Sequence, residues 1–205
     1  WFFVKIFIYF ERMFLNFIQV FFAVFGIMDP VGNVPMFLML TGKMDEKKRR
    51  EMARKAVFWA GAILIVFVLF GNLVLDAFHI PIESLRIAGG IVLILLGLQV
   101  LFGVSFERQN NPEDKDGDIS VVPLATPLIA GPGMISLAII LSKEYGYVLT
   151  LIGVAANLFL SLILFRYASY VLYVLGKQGA LAFTKVMGLI LVAIGVEFIR
   201  SALVV

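Results

Sequence analysis

The chain has 205 residues, of which 61% are hydrophobic and 15% are charged, and its mean hydropathy is +1.01. Soluble domains are closer to half apolar and a quarter charged, so this composition excludes an ordinary cytosolic enzyme and a disordered chain. The net charge of +3 is too small to indicate nucleic-acid binding. With no cysteine and one histidine, we expect no disulfide, metal centre or cofactor.

The apolar segments predict an all-α polytopic membrane protein with six transmembrane helices. Residues 1–12 form an apolar N-terminal extension that is either interfacial or the start of a long first helix. A hydrophilic linker at 105–118 separates a first three-helix repeat (13–104) from a second (119–205). The predicted spans, in chain order, are residues 13–40, 56–75, 87–104, 119–141, 145–176 and 186–205.

The distribution of basic residues predicts the orientation of these spans. Seven Lys and Arg residues flank the gap between the first two spans, between Lys43 and Lys55. Cytoplasmic loops carry such an excess, so this gap and the linker should be cytoplasmic and both termini outside. Eleven basic residues then lie inside and five outside, with Arg166 uncounted inside a span.

The linker contains a partial resemblance to a calcium-binding loop, carried by Asp114, Asp116 and Asp118. Such a loop ends in a glutamate at its twelfth position, where this chain has Ala125. A solvated cytoplasmic linker is the better interpretation of this stretch.

Two interrupted spans indicate an internal duplication. A shift of 97 residues places Pro30 on Pro127 and Pro35 on Pro132, and Asp29 on Thr126. A shift of 98 residues aligns the glycines of spans three and six, which read as close helix-packing positions: Gly90 with Gly188 and Gly97 with Gly195. Because each half has an odd number of spans, the second half should be inverted relative to the first, as in many secondary transporters.

The interruptions are the predicted substrate site. Proline breaks helical hydrogen bonding, and unwound backbone inside a bilayer requires a protein-lined or wet cavity. Free N–H groups at the new helix ends suit a carboxylate, and free carbonyl groups suit an ammonium group. The predicted substrate-binding residues are Asp29, Pro30, Gly32, Asn33, Pro35, Thr126, Pro127, Gly131, Pro132 and Gly133.

Asp29 is the central residue of this prediction. An ionisable side chain inside a span is costly and marks a functional position, where it could bind an ammonium group or carry a proton. It is equally a good N-cap for a half-helix beginning near Pro30, and both roles can hold together.

Other intramembrane polar residues are weaker candidates. Asn157 and Ser161 share a helix face and line the substrate path or join helices, and Ser136 is a further path candidate. Glu197 is expected to pair with Arg200. No nucleophile–base or paired-aspartate arrangement is evident, so an enzyme is disfavoured.

Three long motifs stand out: Asp-Pro-Val-Gly-Asn-Val-Pro at 29–35, Leu-Arg-Ile-Ala-Gly-Gly-Ile at 85–91 and Pro-Leu-Ala-Thr-Pro-Leu-Ile-Ala-Gly-Pro-Gly at 123–133. They resemble the MarC family, also called the SnatA-type neutral amino acid transporter family of six-span prokaryotic membrane proteins. Many members have Asn at the position of Asp29, which leaves open whether a charge there is essential.

The resemblance implies a multi-pass transporter of small neutral amino acids, such as glycine and alanine, in the plasma (inner) membrane of a prokaryote. It also implies coupling to the proton gradient, with sodium as the alternative ion. Export of an amino acid or other small solute, and an uncoupled channel, are the alternative functions. The phenylalanine-rich surface can face lipid or a second copy in a homo-oligomer.

Overall fold

The computed structural model of the protein describes residues 2–41, 44–102 and 129–204. Within these ranges the chain is helical, as predicted. Its helices are α1 (Phe2–Met28), α2 (Asn33–Thr41), α3 (Glu46–Ala77), α4 (Ile82–Phe102), α5 (Pro132–Tyr145), α6 (Tyr147–Arg166) and α7 (Ala168–Leu203). Helix α1 continues without interruption through the N-terminal extension.

Five helical segments in the described ranges are long and apolar enough to cross a bilayer: Glu11–Met28, Glu46–Ala77, Ile82–Phe102, Tyr147–Arg166 and Leu181–Leu203. The protein is therefore a polytopic α-helical membrane protein. The fourth predicted span, 119–141, is described only from residue 129, where α5 covers 14 residues, or about 21 Å. Helix α2 has 9 residues and is also shorter than a full span.

The boundary between the last two predicted spans was wrong. The sequence prediction ran the fifth span to Gly176, whereas α6 ends at Arg166 and Tyr167 caps it with non-helical angles (φ −105°, ψ 23°). Residues 168–175 form the first part of α7, which turns at Gly176 (φ 67°, ψ 166°) before the last span. No proline or glycine lies at Tyr167, so the sequence carried no signal for this break.

Helices α4 and α7 approach each other at backbone distance. A Cβ atom placed on Gly90 would lie 2.5 Å from the Gly195 carbonyl oxygen, and one on Gly97 would lie 2.6 Å from the Gly188 carbonyl oxygen. Because an increasing number on α4 meets a decreasing number on α7, the two helices are antiparallel. The predicted close packing at these four glycines is confirmed.

The remaining helices also pack against one another. Helix α1 packs on α6 and α3 packs on α5, while α4 packs on α5 and α7 packs on α1 and α2. Helices α3 and α6 contact each other as well. The buried core is formed by α1, α2, α3, α5 and α6 together with Ala168 at the start of α7, and large apolar side chains cover the outer surface, where they can face lipid.

Candidate functional site

The first helix break spans residues 29–32, between α1 and α2. Asp29 adopts left-handed backbone angles (φ 40°) directly after the last residue of α1. Its Oδ1 accepts the Gly32 N–H at 3.0 Å, and its carbonyl oxygen accepts the Asn33 N–H at 3.1 Å. The predicted capping role of Asp29 is thus present, although α2 begins at Asn33 and not at Pro30.

The break is compact and mostly buried. Asp29 is 9% exposed and Pro30 is buried. A Cβ atom on Gly32 would lie 2.0 Å from Asp29 Oδ2, so only glycine leaves room for this carboxylate. The Asn33 side-chain amide donates to the Met28 carbonyl oxygen at 2.8 Å and so ties the end of α1 to the start of α2.

Helix α6 provides a polar strip beside this break. The Ser161 hydroxyl donates to the Asn157 carbonyl oxygen at 2.8 Å and lies 3.5 Å from Met28 Sδ, next to Asp29. The Asn157 amide donates to the carbonyl oxygens of Phe21 and Gly153, at 3.1 and 2.9 Å. Both candidates therefore contact α1, Ser161 at the break and Asn157 farther back along the helix.

The side chain of Asn157 also carries one buried polar atom that its contacts with α1 and α6 leave without a hydrogen bond. The residue is 0% exposed, and its Oδ1 has no hydrogen-bond partner among the described residues. Turning the amide over would place Oδ1 against two carbonyl oxygens, so the observed orientation is fixed by the hydrogen bonds. A buried acceptor without a donor is unfavourable unless water or a ligand supplies one.

The predicted second break is described only from residue 129, where the chain leads into α5. Gly131 is the N-cap, Pro132 is the first helical residue, and no side chain in the described part of the chain caps this helix. Gly131 and Gly133 are buried, whereas Pro132 is exposed. Thr126 and Pro127 lie outside the described residues.

Two of the predicted residues on α5 have a clear packing role. A Cβ atom on Gly133 would lie 2.7 Å from Leu93 Cδ2, so this glycine allows α4 to approach. Ser136 packs on Gly89 of α4, where a Cβ atom added to the glycine would lie 2.9 Å from the Cβ atom of Ser136. Pro35, the remaining candidate, lies in the first turn of α2.

The first break and the start of α5 lie at similar distances from one shared contact. Helices α1 and α6 run in the same direction, because Val20 approaches Gly153 and Met28 approaches Ser161; α5 joins α6 through Gly146 and so runs opposite to α1. The Tyr145 hydroxyl at the end of α5 donates to Gln19 Oε1 at 3.1 Å. Measured along the helix axes from this hydrogen bond, Asp29 lies about 15 Å away on α1 and Pro132 lies about 20 Å away on α5, in the same direction.

The remaining sequence predictions fall outside this site. Glu197 accepts two hydrogen bonds from the Arg200 guanidinium, at 2.8 and 2.7 Å, so the predicted pair is confirmed. The residues of the calcium-like stretch lie outside the described ranges. Within those ranges, no group of three or more His, Cys, Asp or Glu residues could hold a metal ion.

Sequence reasoning missed several tertiary contacts. Asn72 donates to the Ser142 hydroxyl at 3.0 Å and so joins α3 to α5. The rings of Phe37 and Phe165 stack with centroids 4.6 Å apart and planes 5° apart. A lone Asn in an apolar span signals a need for a partner, but nothing in the sequence names Ser142 as that partner, and nothing pairs two phenylalanines that are far apart in the chain.

The fold defines the class of the protein as a polytopic α-helical membrane protein, with a buried helix break between α1 and α2. A family model described as "MarC family integral membrane protein" matches residues 14–205, so the chain belongs to the MarC family.

Similar proteins occur in bacteria and archaea. The UPF0056 membrane protein YvbG of Bacillus subtilis is 37% identical over 201 residues, which cover 93% of this chain and 95% of YvbG. A UPF0056 membrane protein of Methanocaldococcus jannaschii is 36% identical over 91% of this chain and 95% of its own length. YhcE of Escherichia coli is 35% identical over 89% of each chain. No solved structure matches the chain.

Proposed function

We propose that this protein is a secondary active transporter of small neutral amino acids, such as glycine and alanine, that works by alternating access. The observation that carries the proposal is a pair of features at similar depth: the buried break after α1, where Asp29 accepts the Gly32 N–H, and the α5 N-terminus, which has no side-chain cap and is flanked by the buried Gly131 and Gly133. With Gln19 and Tyr145 at one edge of a hydrocarbon core of about 30 Å, the ten residues from Gln19 to Asp29 would place the site near the bilayer midplane.

The two breaks offer complementary groups to a zwitterion. The first-turn amide groups of α5 have no intrahelical acceptors and carry the positive end of the helix dipole, so they suit the substrate carboxylate. Asp29 suits the ammonium group, with the unpartnered Oδ1 of Asn157 as a further acceptor on the same side of α1. A proton carried by Asp29 would couple transport to the proton gradient, with sodium as the alternative ion.

The proposed preference for small substrates rests on the surroundings of the breaks. Met28, Val34, Ile129 and Ala130 are each at most 1% exposed and belong to one apolar cluster. A substrate bound between the breaks would place its side chain against this packed apolar surface. Glycine or alanine would need little rearrangement there, whereas a larger side chain would displace core residues.

An inverted duplication would supply the two states of the transporter. The contact of Gly90 with Gly195 becomes the contact of Gly188 with Gly97 when the halves are exchanged, as a pseudo-two-fold axis requires. The helix contacts of α2 on α7 and of α5 on α4 exchange in the same way, because the 97-residue offset places α2 on α5. These matches support two related halves that rock about the shared site.

A second pair of positions supports the same duplication. His79 (φ 55°) and Gly176 (φ 67°) both adopt left-handed angles and are 97 residues apart, the offset that aligns the prolines of the two breaks. Each turn follows the second span of its half. Left-handed backbone is rare for residues other than glycine, so the coincidence argues for a shared turn.

Uptake of labelled glycine into proteoliposomes, with and without an imposed proton gradient, tests the function. We expect accumulation that requires the gradient and that alanine competes away. Asp29→Asn keeps a good helix cap while it removes the charge, so it should abolish accumulation against a gradient. Glu197→Gln is the matched control, because it removes an exposed intramembrane charge and should leave uptake unchanged.

Other outcomes of this assay distinguish the alternatives. Saturable exchange that runs only outward would indicate an exporter. Equilibration that never exceeds the external concentration would indicate an uncoupled channel. Absence of glycine flux in folded protein would refute glycine as a substrate.

We also propose a plasma-membrane orientation with both termini outside. The basic start of α3 supports a cytoplasmic position for that end of the helix. The chain has no cysteine, so Lys48→Cys and Glu83→Cys provide single labelling sites. In intact cells, an impermeant maleimide should label the cysteine at 83 and not the one at 48; the opposite pattern would reverse the orientation.

A further inference from the structure

A basic cleft lies between the start of α3 and the end of α6. It is a cavity of about 550 Å³ lined by Glu46, Lys47, Arg50, Ala53, Arg54, Leu162 and Arg166. Four of these seven residues are cationic. The cleft is separate from the two helix breaks, and the proposed transport mechanism does not use it.

The cations converge on the cleft through the tertiary structure. Lys47, Arg50 and Arg54 are three and four residues apart along α3, so they share one face of that helix. Arg166 is the last residue of α6, more than 100 positions later, and α3 packs on α6. The rule that cytoplasmic loops are basic explains how many charges are present, but it does not explain why they surround one cavity.

This arrangement is electrostatically unbalanced. Glu46 is the one acidic residue of the lining, and it pairs with Arg50, so the lining carries a net charge of +3. A cavity of this volume is about 10 Å across, which is comparable to the distance over which salt screens charges. The cations therefore repel one another unless an anion enters the cleft. Lys55, by contrast, lies outside the lining and pairs with Glu51 at 3.2 Å.

The position of the cleft suits a group at the membrane surface. Helix α3 has 32 residues, or about 48 Å, which exceeds a hydrocarbon core of about 30 Å, so its basic first turns extend past the core. The inner wall is apolar, with Ala53 and Leu162. One turn deeper on α3, Phe58 and Trp59 are exposed, and tryptophan favours the membrane interface.

We infer that this cleft binds a phosphate group, presented either by the headgroup of an anionic phospholipid or by free phosphate. Arginine side chains donate paired hydrogen bonds to phosphate oxygens, and the cleft brings three arginines to one cavity. Basic pockets between membrane helices on the cytoplasmic side are a recognised type of site for such headgroups. The inference does not depend on the proposed transport function.

Native mass spectrometry of the full chain can measure this binding. The protein is equilibrated with phosphatidylglycerol or phosphatidylcholine, and the lipid retained is compared between the unmodified chain and Arg54→Gln/Arg166→Gln. We expect selective retention of phosphatidylglycerol, and about tenfold or greater weakening in the double variant. Lys48→Gln/Arg49→Gln is the matched control, since it removes two cations of α3 that do not line the cleft, and it should retain the lipid.

A second arm separates the two sources of phosphate. In phosphatidylcholine nanodiscs, the thermal midpoint of each variant is measured with inorganic phosphate and with chloride at equal ionic strength. A phosphate-specific increase in midpoint that Arg54→Gln/Arg166→Gln removes would identify free phosphate as a ligand; lipid retention without that increase would identify the headgroup. Equal weakening in the control variant, or no selectivity in either arm, would overturn the inference. Arg54→Lys/Arg166→Lys keeps the charge and should restore part of the binding.

Discussion

Replacing Gly195 by alanine should destabilise the contact between α4 and α7. The added Cβ atom would lie 2.6 Å from the Gly90 carbonyl oxygen and 3.0 Å from the Ile94 amide nitrogen. Both neighbours are backbone atoms, which cannot move aside as a flexible side chain can. An ordinary contact requires at least 3.4 Å, so the helices must separate by about 0.8 Å at this point.

The separation has a cost that can be approximated. Overpacking of a close-packed contact costs typically about 1–3 kcal/mol, and a gap of this size forfeits a quarter to a half of the local dispersion energy. Alanine gains up to about 1 kcal/mol over glycine in intrinsic helix propensity, which offsets part of the loss. We expect a net decrease of about 1–2 kcal/mol in the free energy of unfolding.

Equilibrium unfolding in mixed micelles with increasing SDS, followed by circular dichroism, measures this change. Gly179→Ala is the matched control on the same helix, because its added Cβ would be 3.7 Å from the nearest atom. That variant should be neutral or slightly more stable. If Gly195→Ala and Gly179→Ala unfolded at the same SDS content, the close approach of α4 and α7 would be refuted.

The mutual contact of Gly90 and Gly195 leads to a second prediction for the same unfolding assay. Gly90 and Gly195 face each other, so one separation of the helices relieves the strain of either substitution. The double variant Gly90→Ala/Gly195→Ala should therefore lose less stability than the sum of the two single variants. Full additivity would place the two glycines in independent contacts.

Three other substitutions follow from the structure. Gly32→Ala should displace the Asp29 carboxylate, whose Oδ2 would lie 2.0 Å from the new Cβ, and should abolish glycine uptake while the purified protein remains monodisperse; uptake at the normal rate would contradict the compact break. Phe37→Ala removes a fully buried ring stacked on Phe165 and should lower the SDS-unfolding free energy by about 3–5 kcal/mol, an effect that a loosely packed site would not show. Asn72→Leu removes one hydrogen bond between α3 and α5 and should cost less than about 1 kcal/mol in the same titration, so a larger loss would indicate further partners.

The first break illustrates how one side chain can serve two purposes. The Asp29 side chain accepts the Gly32 N–H in the turn before α2 and so caps the break between the two helices. The same carboxylate is buried, and burial makes its charge costly. A capping requirement alone is met by asparagine as well, so Asp29→Asn separates the structural use of this position from its use of charge.

The sequence by itself determined the class of the protein and the place of its first break. Apolar length and composition require membrane spans, and long continuous apolar segments favour helices, which satisfy their own backbone groups in a bilayer. Asp29, Pro30 and Gly32 required a local break and a cap, because both depend on residues within three positions of each other. The glycines of α4 and α7 were predictable as packing positions for a similar reason. A glycine is visible in the sequence alone, and between membrane helices it commonly allows two backbones to approach closely.

Only the tertiary structure decided which of these features meet. It joined Gly90 to Gly195, Ser161 to Met28 and Asn72 to Ser142, across separations that no local pattern encodes. It also ended α6 at Arg166, where the chain has neither proline nor glycine, and so brought that residue to the basic cleft. Helix packing selects these partners through shape and close approach, and in an apolar chain many registers have the same hydrophobic pattern, so the pattern alone cannot choose among them.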